Sequence, residues 1–200
     1  VKSYATLKDV EKLCREALEL GVRAVCINPC YVKYAKNIVG ERVLVCAAID
    51  LPFGSSKVNV KVKAVEEAVA DGADEVDYVV NIGMLKSGDL DYVEREAREV
   101  AEAAQGRNVK AIIETWVLTP EEIERACRIA EKAGAGLVKT TTGVRTQYLD
   151  IIGRNVRGAE LDDIVLMRNA LKPQIRIKAS GGIYDLDYAL SLIKAGADQL

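Results

Sequence analysis

Apolar runs and amphipathic stretches alternate along the whole chain. The runs are RAVCIN (23–28), RVLVCAAID (42–50), DEVDYVVNI (74–82), VKAIIET (109–115), LVKTTT (137–142) and IRIKAS (175–180). Between them hydrophobic residues recur at helical spacing over about 7–20, 30–38, 58–71, 89–105, 120–133, 160–171 and 185–195. Runs this short and this apolar predict strands covered on both faces, and strands alternating with helices predict parallel β/α units. Helix starts are legible. Asp89 is a candidate N-cap, and Thr119-Pro120-Glu121-Glu122 supplies a cap, an N1 proline and an acidic first turn.

A weak repeat reinforces this reading. The helical stretches end in LELGV, ADGAD, KAGAG and KAGAD, and their glycines are Gly21, Gly72, Gly134 and Gly196. Five residues past the first three come Cys26, Asp77 and Lys139. Two architectures compete. A doubly wound sheet usually binds through a glycine-rich first turn, and no G-x-G-x-x-G follows any run here. Instead nearly every run ends in polar or turn residues, among them Asp50, Asn81, Glu114-Thr115, Thr141-Thr142-Gly143 and Ser180-Gly181-Gly182. Loaded strand ends around a ring predict a (β/α)8 TIM barrel, in one domain over residues 1–200. Six strands are visible and ADQL reads as the start of another. YATLKDVEKLCREAL reads as a helix without its preceding strand, so the barrel is expected to lack its first strand and to stop at the start of its last.

The bulk numbers narrow the chemistry. Half of the 200 residues are hydrophobic and 29% are charged, which predicts a packed core. The net charge of −2, with no long basic run, argues against a nucleic-acid partner or an anionic membrane surface. No apolar run approaches the ~18 residues of a membrane span, and no signal-peptide pattern opens the chain; both point to the cytoplasm. Five cysteines without a C-x-x-C argue against a disulfide framework or a zinc site. There is no histidine, which removes Ser-His-Asp and Cys-His mechanisms. What remains is Lys, Asp, Glu, Tyr, Cys and the backbone.

Lys139 lies inside one strand and Lys178 inside the next. In a barrel Cys26, Asp77 and Lys139 would share one level, with Lys178 beside Lys139. Burial and a neighbouring like charge both lower a lysine pKa, so Lys178 is expected to make Lys139 the reactive amine, suited to Schiff-base chemistry with a carbonyl compound. Asp77 could then move protons. Plainer readings stand beside these. A strand lysine can face solvent or cap the barrel bottom beside Glu75, Asp77 can be a structural ion-pair partner, and Cys26 can be a core residue. Ser180-Gly181-Gly182, ahead of an Asp-capped helix, suggests an anion site, and Thr142-Gly143 a weaker one; both can equally be ordinary βα turns.

With VCINPCYV, EVDYVVNIGMLKSGD, KAIIET, AGAGLVKTTTG and IKASGGI in order, the sequence resembles the deoxyribose-phosphate aldolase family of class I, Schiff-base aldolases. The resemblance implies a TIM barrel that reversibly cleaves 2-deoxy-D-ribose 5-phosphate to D-glyceraldehyde 3-phosphate and acetaldehyde. It implies that Lys139 forms the imine, Lys178 tunes it, Asp77 belongs to the proton relay and Cys26 lines the pocket. Thr142, Gly143, Ser180, Gly181 and Gly182 would form the substrate-phosphate loops. It implies a homo-oligomer and no metal or organic cofactor. Val144, where many relatives carry another lysine, Trp116, and a long irregular segment 145–159 depart from the pattern. Two alternatives stay open: another Schiff-base aldolase of a phosphorylated sugar, and a barrel that binds a phosphometabolite without catalysis.

Overall fold

The computed structural model describes residues 2–144 and 158–200. Among them six strands form one parallel sheet in sequential order. They are β1 (Ala24–Ile27), β2 (Leu44–Ile49), β3 (Glu75–Val79), β4 (Asn108–Ile112), β5 (Leu137–Lys139) and β6 (Arg176–Lys178). Eight α-helices accompany them: α1 (Leu7–Leu20), α2 (Val32–Val39), α3 (Val58–Ala70), α4 (Ile82–Ser87), α5 (Leu90–Ala103), α6 (Pro120–Lys132), α7 (Leu161–Ala170) and α8 (Leu186–Ala195). Sequential parallel pairing with a helix after each strand is the (β/α) barrel pattern, and the doubly wound alternative falls away. The sheet curls: Cys26 on edge strand β1 and Lys178 on edge strand β6 line one cavity. Lys178 also forms an isolated parallel bridge to Gln199, within the ADQL stretch. None of the described helices is long and apolar enough to cross a membrane.

The two faces of the sheet are chemically distinct. Val25, Ile27, Val45, Ala47, Val76, Tyr78, Val109, Ala111, Val138 and Ile177 alternate along the strands and join the apolar core beneath the helices. The residues between them face the concave side, and they include Cys26, Cys46, Glu75, Asp77, Lys110, Lys139 and Lys178. The runs are therefore not uniformly apolar. In EVDYV and RIK polar residues recur at every second position, and in VKAI and LVK one lysine stands on that same face.

Local signals explain most element bounds. Asp89 caps α5 by accepting from the Tyr92 amide, and Thr119 with Glu122 forms the anticipated capping box on α6. Gly21 ends α1 at φ 65°, the left-handed value that glycine adopts without a Cβ penalty. The strands are shorter than the apolar runs. The run 74–82 divides into β3 and the start of α4, because the Asn81 side chain caps α4 through the Met84 amide at 3.1 Å. Of the segment 145–159, residues 145–157 lie outside the described residues.

Candidate active site

Asp77 is the centre of the concave face. It sits mid-strand on β3 and is 1% exposed. Its Oδ2 lies 2.9 Å from Lys139 Nζ on β5, and its Oδ1 lies 2.6 Å from Lys110 Nζ on β4. The Cys46 thiol of β2 donates to Oδ1 at 2.9 Å, and Cys26 Sγ of β1 lies 3.8 Å from Oδ2. The expected convergence of Cys26, Asp77 and Lys139 on one level is thus present. Lys178 is the register partner of Lys139 on β6 and lines a cavity of about 410 Å³ with Cys26, Cys46, Asp77 and Lys110.

Electrostatics at this cluster follow from who pairs with whom. Burial works against the Asp77 carboxylate, but Lys139 and Lys110 outweigh it and hold the carboxyl well below its usual range. Burial works against the Lys139 ammonium as well; here Asp77, with the nearby Cys26 thiol, wins and the pKa moves up. Lys178 goes the other way: burial, reinforced by the Lys139 charge, moves it down. The like-charge effect expected between the two lysines is there, but it falls on Lys178 rather than on Lys139.

Lys110 is the residue that the sequence reading passed over. Its ammonium is 2.8 Å from Glu75 Oε2 as well as 2.6 Å from Asp77, and it donates to Cys46 Sγ at 3.1 Å. Burial opposes its charge, yet the thiol and the two carboxylates raise its pKa far above normal. Glu75 is held in turn by Arg23 at 2.5 Å and Asn108 at 3.2 Å. The available signal was the placement of Lys110 on the same face of β4, where it is the direct register partner of Asp77. Behind β3, buried Lys61 donates to the Gly54 and Val79 carbonyls and to Glu96 at 2.7–2.8 Å, and Glu96 accepts from the Asn81 amide. This network fixes the end of the strand that carries Asp77.

The turns after β5 and β6 interlock. Thr141 Oγ1 donates to the Ser180 carbonyl at 2.8 Å, and the Ser180 amide donates to Thr140 Oγ1 at 3.0 Å. Gly143 and Gly181 have φ of 74° and 91°, and a Cβ at Gly181 would come 2.9 Å from Thr141 Oγ1. Gly182 has φ 71°. The Thr142 amide donates to Glu114, whose other oxygen accepts from the Trp116 indole, and the Gly143 amide donates to Thr141 Oγ1 at 3.1 Å. These turns thus lie side by side at the C-terminal strand ends. The Asp-capped helix expected after Ser180-Gly181-Gly182 is α8, which begins at Leu186, with the Asp185 carboxylate accepting from the Tyr188 amide at 2.7 Å.

Among the described residues, Cys26, Cys46 and Asp77 are grouped closely enough to hold a metal ion. Both Asp77 oxygens already face ammonium groups, so that donor set is opposed by two positive charges.

Comparison with known proteins places this cluster in context. Residues 2–197 match the DeoC/LacD family aldolases. The whole chain is 45% identical to a deoxyribose-phosphate aldolase of Thermococcus gammatolerans, covering 87% of that protein. Among solved structures, 99% of the chain superimposes on an aldolase called QR15 with a TM-score of 0.89 and 40% identity, covering 85% of it. The tetrameric deoxyribose phosphate aldolase from Aeropyrum pernix gives 0.85 at 28% identity, over 99% of this chain and 80% of that one. With a match that runs through every strand of the sheet, the chain belongs to the DeoC/LacD family of aldolases.

Proposed function

We propose that this chain is a deoxyribose-phosphate aldolase. It reversibly cleaves 2-deoxy-D-ribose 5-phosphate to D-glyceraldehyde 3-phosphate and acetaldehyde through a lysine Schiff base. The similarity to deoxyribose-phosphate aldolases over the full chain supports the substrate. The observation that carries the chemistry is the placement of Lys139 and Lys178 as register partners beside buried Asp77.

A neutral amine adds to the open-chain aldehyde and loses water to form an iminium. The iminium accepts the electron pair of the C2–C3 bond as that bond breaks and the C3 hydroxyl gives up its proton to solvent to become the new carbonyl, which leaves an enamine and releases the phosphorylated aldehyde. Protonation and hydrolysis then free acetaldehyde. Lys139 carries the imine. It must first shed a proton, and Lys178, with its lowered pKa, is the adjacent base that takes it. Asp77 remains an anion throughout the neutral range, so it serves as counter-ion to Lys139 and to the iminium rather than as an acid. Thr142, Gly143, Ser180, Gly181 and Gly182 line the turns where the substrate phosphate docks, and Cys26 borders the reacting carbon. No metal or organic cofactor enters these steps.

A second reading places the imine on Lys178. Its lowered pKa, and the lack of an ion-pair partner for it among the described residues, favour that reading. Borohydride trapping with acetaldehyde, followed by peptide mapping, separates the two. An ethyl group on Lys139 supports the first, one on Lys178 the second, and no reducible adduct on either overturns the aldolase assignment.

This reading includes a homo-oligomeric state, supported by the tetramer of the similar A. pernix protein. Light scattering tests it, and a monomer would remove it.

A further inference from the structure

Cys26 and Cys46 are register partners on adjacent parallel strands. Both are on the concave face, both contact Asp77, and their sulfurs lie within 4.8 Å of each other. In-register neighbours have Cα atoms about 4.8 Å apart, inside the roughly 4.4–6.8 Å span that a disulfide accepts.

The two thiols are unequal. Hydrogen bonding from Cys46 and the charges of Lys139 and Lys110 favour the Cys26 thiolate against burial and Asp77, and its pKa moves down. Burial pushes the Cys46 thiol well up. Cys26 is also the more accessible: it is half-buried, and it lines both the 410 Å³ cavity and a second one of about 370 Å³. The ammonium groups that oppose a metal cation at this spot therefore help an attacking thiolate. The other cysteines are placed differently, Cys14 and Cys127 buried on helices and Cys30 exposed beyond the strand.

We propose that Cys26 and Cys46 form a peroxide-responsive dithiol that closes to a disulfide across β1 and β2. Hydrogen peroxide is the oxidant. The Cys26 thiolate attacks one peroxide oxygen and the O–O bond breaks. Cys26 becomes a sulfenic acid, and the departing hydroxide takes a proton to leave as water. Cys46 sulfur then attacks Cys26 sulfur, the S–O bond breaks, and a second water carries off the Cys46 proton. Two thiols lose two electrons in all, and one peroxide becomes two waters. The disulfide withdraws the thiol proton that Cys46 gives to Asp77 and leaves a rigid bridge against the Asp77–Lys139 pair.

The test is peroxide treatment of the reduced chain, alkylation without reductant, and peptide mapping by mass. The expected result is a linked Cys26–Cys46 peptide pair, lighter than the sum of its peptides by two hydrogens and absent after dithiothreitol. In Cys46→Ala, Cys26 should instead stay a sulfenic acid that dimedone captures. Sulfinic acid on Cys26 without the link, a link from Cys26 to Cys30, or a Cys46→Ala protein that takes no dimedone at Cys26 would each overturn the proposal. The link is read by mass alone, so its absence counts against the dithiol and leaves the aldolase reading untouched.

Discussion

Lys139 Nζ sits 2.9 Å from Asp77 Oδ2, whereas Lys178, its register partner on the next strand, forms no ion pair among the described residues. Two lysines of the same type, side by side, are thereby driven in opposite directions. Lys139 is held as an ammonium by its carboxylate, and Lys178 is pushed toward the neutral amine by burial and by the charge that Asp77 has fixed next to it. The pair is a donor and an acceptor for one proton.

Asp77 tests the counter-ion half of this arrangement. Asp77→Asn keeps the shape but leaves the Lys139 and Lys110 ammonium groups buried without that charge. Loss of such an electrostatic partner typically costs about 10²–10³-fold in turnover. Removing one partner of a buried pair costs about 3–5 kcal/mol of stability. The pH dependence has a definite sign. Because the folded pKa of Asp77 is depressed, its stabilising contribution is complete above ~3.9 and is lost as pH falls toward the folded value. Denaturant midpoints at neutral and acid pH should therefore converge in Asp77→Asn. Unchanged turnover would return Asp77 to a purely structural ion pair.

Lys110 should behave differently. It touches two carboxylates and a thiol and is 2% exposed, so its main work is to neutralise Glu75 and Asp77. Lys110→Met should cost about 3–5 kcal/mol in denaturant unfolding while borohydride trapping still labels the same lysine as in the parent. A variant that keeps full stability yet no longer traps acetaldehyde would show that Lys110 acts on substrate.

The turns after β5 and β6 are the proposed phosphate end. Gly181→Ala places a Cβ 2.9 Å from Thr141 Oγ1 and 3.2 Å from Gly143 Cα, at a φ of 91°. Strain of about 1–3 kcal/mol follows, and it falls on the contact between the two turns. The expected result is a KM that rises more for deoxyribose 5-phosphate than for unphosphorylated deoxyribose. Equal rises would mean that the turns shape the sheet and bind no phosphate.

The concave cluster was only partly legible in the sequence. Glycine spacing and β/α alternation were enough to bring Cys26, Asp77 and Lys139 together, because in a parallel sheet equivalent strand positions share a level. Lys110 was missed because VKAIIET reads as an apolar run with its polar residues at the end and one lysine inside, and the reading weighed the run as a whole. Period 2 was present, hidden by the covered second face that makes the alternate residues apolar. α4 was missed for a related reason: Val80 and Ile82 continue the apolar pattern of β3, and the stop comes from the Asn81 side chain capping a new helix. The direction of the lysine shifts was not accessible at all. It depends on which ammonium reaches the carboxylate, and that is fixed by the stagger between β3 and β5, not by residue type.

Lys178 decides between two accounts of the lysine pair. If it acts as a fixed positive charge, any cation will do, and Lys178→Arg should preserve much of the effect. If it acts as the base that relieves Lys139 of its proton, arginine must fail, because guanidinium stays protonated across the working range. The lowered pKa of Lys178 is what the base account requires. The rate of imine trapping should then rise with pH through a midpoint below the ~10.4 of an ordinary lysine, as Lys178 becomes neutral. In Lys178→Met that rise should move upward, toward the raised pKa of Lys139 itself. Lys178→Arg should follow Met rather than the parent, and shift at least as far, since its charge still opposes a cationic iminium. The measurement is the trapping rate against pH for the three proteins, with the site of labelling mapped at each extreme. An Arg profile that overlays the parent would discard the base and restore the fixed charge. Loss of all labelling in both variants, with the parent label on Lys178, would make Lys178 the nucleophile and Lys139 the ammonium that sets its pKa.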